Sequence, residues 1–159
     1  MDDVTIARAL HVLAIVLWIG GVGLVTTVLL PALRRLPDPA QRIAMFEAVE
    51  GRFGTQARLS VLVVGLTGLY MLVRMDVWDR FTSLPYWWMH AMVLVWLIFA
   101  TMLFVVEPFV VRPRFAARAR SNPDATFRTI HRLHMVLLAL SLLTILGAVA
   151  GSHGLLLFD

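Results

Sequence analysis

The strongest constraint on this chain is a set of four apolar runs, at about 9–33, 55–73, 86–106 and 133–158. A run of roughly 20 apolar residues spans the ~30 Å hydrocarbon core of a bilayer as a helix. In lipid the backbone must satisfy its own polar groups, and no period-two alternation marks these runs, so helices are expected and barrel strands are not. Of the 159 residues, 60% are hydrophobic and 15% charged, which leaves too little polar surface for a soluble domain. That balance excludes a soluble globular enzyme and a disordered chain. The absence of cysteine excludes a disulfide scaffold, thiolate zinc sites and iron–sulfur clusters. The expected fold is all-α: a single domain over 1–159, an integral membrane four-helix up-down-up-down bundle. Its helices are expected at about 5–33, 53–75, 86–107 and 127–157.

Charge then sets the orientation. All 14 basic residues are arginine. Arg34, Arg35, Arg42, Arg52 and Arg58 follow the first span or open the second, and Arg112, Arg114, Arg118, Arg120, Arg128 and Arg132 follow the third. Only Arg8, Arg74 and Arg80 fall at the end that carries the N-terminus. The positive-inside rule puts the arginine-rich end in the cytoplasm and both termini outside, in a bacterial-type inner membrane. The arginine excess thus reads as topology, and no nucleic-acid partner is expected. Trp78, Trp87 and Trp88 suit an aromatic belt at the outer interface. Asp2 and Asp3 stand where a signal peptide needs positive charge, so the first helix is expected to be retained. Pro37-Asp38-Pro39 reads as a turn, and Ser121-Asn122-Pro123-Asp124 as a turn capping the fourth helix. A short interfacial helix is expected over 43–51, and 114–120 should extend the third helix or begin a basic interfacial one.

Function is sought among the ionisable residues inside the spans, which are costly in lipid and usually face the bundle interior. His11, His90 and His153 come from three different helices. At 1.5 Å per residue they lie roughly 10, 8 and 9 Å from the outer end. In such a bundle the first and third helices lie diagonally opposite. His11 and His90 could therefore supply both axial ligands of a haem b, with His153 in reserve and Arg8, Arg74 and Arg80 on the propionates. Gly20, Gly21, Gly23, Gly65, Gly68, Gly147 and Gly151 thin the helices for a flat cofactor or for a close helix. Gly147 and Gly151 also make a homodimer face an expectation. Met71, Met75, Met89 and Met92 share the outer end with His11 and His90, a soft thioether–imidazole set suited to Cu(I). His131 and His134, three apart on one helix face at the opposite end, read as interfacial residues beside Arg128 and Arg132. Glu107 is placed to neutralise one of the arginines. No nucleophile–base pair, carboxylate pair or phosphate-cradling glycine loop is present.

The segment from His11 through Trp18 to Gly20-Gly21 resembles the first-helix signature of two related groups. These are the HemJ-type protoporphyrinogen oxidases and the CopD-type membrane domains linked to copper resistance. Trp88-Met89-His90-Ala91-Met92 is similar to the HemJ-type pattern Trp-Leu-His-Ala-Lys, with Met92 in place of the lysine. The HemJ-type resemblance implies a haem b protein that oxidises protoporphyrinogen, with His11 and His90 as its haem-associated histidines. The CopD-type resemblance, through His11 and Trp18, implies copper handling. The residues alone favour a b-type haem protein with a redox role, exchanging electrons with a quinone or periplasmic carrier or reacting with a small oxidant or gas. A HemJ-like protoporphyrinogen oxidase and a CopD-like copper-handling protein are the alternatives.

Overall fold

A computed structural model describes residues 2–155. Four long helices account for nearly all of them: α1 (Asp2–Leu33), α2 (Pro39–Met75), α3 (Leu84–Ser121) and α4 (Pro123–Ser152), all long and apolar enough to cross a membrane. No strand occurs among the described residues. The chain is an all-α membrane bundle. Helix α1 packs along α2, α3 packs along α4, and thinner contacts join α1 to α4 and α2 to α3. This leaves α1 and α3 diagonal, meeting across the centre where the Trp18 and Phe99 rings stack edge to face at 4.8 Å.

The helices run further than their apolar runs. Helix α2 starts at Pro39 with no break, so the separate segment expected over 43–51 is its first turns. Likewise Arg112–Ser121 continues α3. Expected ends at 156–157 of the fourth helix lie outside the described residues. The reason for the early start of α2 is a second core. Ile43 and Phe46, one turn apart, bury with Leu30, Leu33, Phe115, Ala119 and Phe127, and each such side chain contributes about 1.5–3 kcal/mol when taken out of water. Three phenylalanine rings, Phe46, Phe115 and Phe127, lie within 6.3 Å of one another. At 37 residues α2 is about 55 Å long, so some 25 Å of it stands beyond the hydrocarbon.

Both expected turns are built as caps. The Asp38 carboxylate accepts from the Ala40 N–H at 2.9 Å, and the Asn122 side chain accepts from Ala125 N–H at 3.1 Å. Arg42 ties the two turns together, donating to the Leu36 carbonyl and to Asp124 at 2.7 Å.

Within the lipid-facing half, several glycines are sockets for aromatic rings. A Cβ on Gly147 would sit 2.6 Å from the Trp87 ring, and one on Gly151 2.3 Å from the Trp88 indole nitrogen. Gly65 receives Trp96 and Gly21 receives Phe53 in the same way. The surface of Gly147 and Gly151, expected to suit a flat cofactor or a second copy, is filled from within by α3. Trp96 also donates its N–H to the Val61 carbonyl at 2.8 Å. Replacing Gly147 or Gly151 by Ala should overpack its socket and destabilise the solubilised protein by about 1–3 kcal/mol. Gly20→Ala, with nothing within 4 Å of the new atom, should leave the thermal midpoint unchanged or raise it.

Candidate functional site

The site is built on one stripe of α1. Ala7, Ala14, Trp18 and Val22 are buried, and their spacing puts His11 on the same inward face. Opposite it, α2 offers Thr67 and Gly68. The His11 Nδ1 lies 2.9 Å from the Thr67 hydroxyl, and a Cβ on Gly68 would meet the His11 ring at 3.3 Å. The hydroxyl has one proton, which it donates to the Val63 carbonyl at 2.6 Å. With that proton so placed, the imidazole donates from Nδ1 and keeps its lone pair on Nε2. That is the tautomer a metal-binding histidine adopts when a second group orients it.

Thioethers share this level. Met71 is one turn beyond Thr67 on α2. Trp96 of α3 docks on Gly65. Met92 stands one turn before Trp96 and Gly68 about one turn after Gly65, so the antiparallel pairing brings Met92 to the level of the His11 ring. Met89 is buried, whereas the Met75 sulfur is exposed and 3.9 Å from the Arg8 guanidinium.

The other expected ligands have different surroundings. His90 is exposed, its ring edge-on to Phe81 at 5.2 Å. His153 is exposed and donates to its own helix at the Val149 carbonyl, 2.8 Å away. The structure does not place His90 or His153 against the Thr67 pair that holds His11. Of the arginines expected on propionates, Arg8 reaches Met75, Arg74 bonds to Asp3 at 2.9 Å, and Arg80 lies over the Tyr86 ring at 5.0 Å. At the other end the His131 Nδ1 accepts from Arg34 at 3.5 Å, and His134 donates to Ile130 at 2.9 Å. Among the described residues no three His, Cys, Asp or Glu side chains are grouped to hold a metal ion. One imidazole with thioethers at its level suits a soft ion.

A second polar constellation lies deeper. Residues Met102–Val111 of α3 form a widened π-helical turn, in which the Arg112 N–H reaches back five residues to the Glu107 carbonyl. In that register Pro108, which lacks an N–H, would have served the Leu103 carbonyl. Arg58 of α2 takes its place, donating Nε–H to the Leu103 carbonyl at 3.1 Å and pairing through Nη2 with Glu107. Glu107 is thus the partner of Arg58, with Arg112 4.0 Å away.

Residues 47–151 match the protein family described as Copper resistance protein D. This chain belongs to that family. No curated protein and no solved structure matches it. In this CopD-family chain the match runs from the first turns of α2 into the last turn of α4. It includes Arg58, Thr67, Met71, His90, Met92 and Glu107, and His11 lies before it. The CopD-type resemblance therefore stands, while the HemJ-type one rests on the two histidine segments.

Sequence reasoning reached His11 and the methionines but missed Thr67, whose hydroxyl looks in sequence like any other back-bonded hydroxyl of a span. It placed Arg58 at the interface and left the partner of Glu107 open. Removing Arg58 leaves the Leu103 carbonyl without its donor and Glu107 with only the more distant Arg112. Arg58→Ala should destabilise the solubilised protein by about 1–3 kcal/mol. The loss should shrink in a Pro108→Ala background, where the helix recovers its own donor, and a double-mutant cycle on the thermal midpoint measures the difference.

Proposed function

We propose that this chain is a copper-handling protein of the inner membrane, its arginine-rich end cytoplasmic and its termini outside. In this reading His11 Nε2, with the thioethers of Met71 and Met92, takes Cu(I) in the outer leaflet. The observation that carries the reading is the bond from His11 to Thr67, which commits one ring nitrogen to α2 and leaves the other as a donor. The family supports it, as does the softness of the nearby side chains. Copper is here the cargo, and the residues bind and orient it without a bond being made or broken elsewhere. Haem b between α1 and α3 has less to support it. The rings of Trp87, Trp88 and Trp96 fill the glycine gaps that reading drew on.

Competition for Cu(I) against a chromophoric chelator tests the proposal on the purified full chain. His11→Ala should abolish binding, and Met71→Leu or Met92→Leu should each weaken it about tenfold. Thr67→Val should weaken it about 10–100-fold by releasing the ring, with Thr67→Ser restoring it. Binding that survives His11→Ala overturns the assignment. A Soret band in protein made with haem available, lost in both His11→Ala and His90→Ala, would put haem in copper's place.

A further inference from the structure

Helices α1 and α3 each carry a widened turn, and both turns reach the level of one histidine. In α1 the turn covers Val25–Leu29, where the Leu30 N–H reaches back five residues to the Val25 carbonyl. In α3 it opens at Met102. Such turns are rare and gather at functional sites. Helix α4 packs against the turn of α1, and a Cβ on Gly23 would meet Leu138 at 3.9 Å. Four residues inward from that contact on the two antiparallel helices stand Thr27 and His134. On α3, Val95, Ile98 and Phe99 meet Leu137 and Leu140 around a small cleft. Met102 is one turn beyond Ile98 and Phe99, and His134 one turn before Leu137 and Leu138, so the two share a level and an inward face. The α-helical register holds that far, because the Met102 N–H still reaches the Ile98 and Phe99 carbonyls. Both residues are half-buried, whereas Met135, beside His134 in sequence, is exposed. The His134 Nδ1 stands 2.9 Å from the Ile130 carbonyl, which can only accept. The proton is therefore on Nδ1 and the lone pair on Nε2. His131, one turn earlier, spends its Nδ1 lone pair on Arg34 at 3.5 Å.

We propose that His134 Nε2 and the Met102 thioether form a second site for a monovalent soft cation, at the arginine-rich end of the bundle. The inference rests on the copper reading above and gives the cargo a second holding point. Imidazole with thioether is a soft ligand set, and two neutral donors suffice for a monocation that accepts linear coordination. The level of Thr27 is about 24 Å along α1 from that of His11, with Trp18, Val22 and Phe99 packed between them. The two sites are thus separate, one in each leaflet. With two ligands against three the inner one is the weaker, so a chelator that competes with the outer site strips it. The widened turn places its first residue, Met102, where α3 departs from regular register, so the thioether and the Arg58–Glu107 pair belong to one irregular segment.

Direct calorimetric titration with Ag(I), which shares the charge and softness of Cu(I) and resists oxidation, reads the inner site on the full chain in nanodiscs. Wild type should take up a second, weaker equivalent that chelator competition does not detect. In a His11→Ala background that weaker equivalent should remain. Adding His134→Ala should remove it, and adding Met102→Leu, which keeps the side-chain volume, should weaken it about tenfold. His131→Ala and Met135→Leu should each leave it within about twofold. If the His11→Ala chain takes up no Ag(I), or takes it up equally well with His134→Ala added, the inner site is wrong and the copper reading at His11 stands. Uptake by exposed His153 or Met75 would give the second of those results. If binding under chelator competition survives His11→Ala and is lost only with His134→Ala, the outer assignment falls and the inner site is the one that holds copper.

Discussion

In hydrocarbon a carbonyl without a donor cannot turn to water, and α3 creates one where Pro108 enters its widened turn. An unmet group of that kind costs several kcal/mol in lipid. Arg58 reaches across from α2 to meet it and is itself neutralised by Glu107. The pair therefore fixes where α2 stands along α3. The same shift seats Trp96 at Gly65 and gives its indole the Val61 carbonyl. One turn further out it sets the level of Met92 against Gly68. The outer site inherits its geometry from a proline near the opposite face.

Hydroxyls obey the same rule by a simpler route. Thr26, Ser141 and Thr144 are buried, and each donates to the carbonyl four residues back. Thr67 does so as well, which is why its remaining lone pair is available to His11. One proton committed inward thus decides the protonation of a ring on the neighbouring helix. Helix contacts in lipid gain nothing from expelling water, so close shape has to supply the rest. Four glycine sockets with aromatic occupants provide it.

The spans, the two capped turns and the arginine asymmetry were legible in the residues, because length, hydropathy and turn chemistry are local properties. The inward face of α1 was legible too, since Trp18 repeats His11 at a two-turn interval. The early start of α2 was not. A short helix over 43–51 was expected to stand apart from the span, yet the glycines between them, Gly51 and Gly54, cost a helix only about 1 kcal/mol each, and burial of Ile43 and Phe46 outweighs that. Nor could sequence say what fills a glycine gap. Gly147 and Gly151 are one turn apart on α4, and nothing in that spacing distinguishes a cofactor, a second chain or Trp87 and Trp88. Three histidines at one depth suggested a shared ligand. Helix rotation, which depth does not reveal, gives them separate neighbours.

The knot of Phe46, Phe115 and Phe127 lies outside the four apolar runs, at the arginine-rich end; with only those runs in hydrocarbon, it and the core around Trp18 and Phe99 stand in two solvents. The water-side core is held by a driving force that fades on cooling and in urea. The core around Trp18 and Phe99, already surrounded by hydrocarbon, is held by dispersion and internal hydrogen bonds that neither condition weakens in that way. Cold or mild denaturant should therefore loosen the arginine-rich end first. A folded, membrane-held half would remain beneath it, still carrying the His11 face.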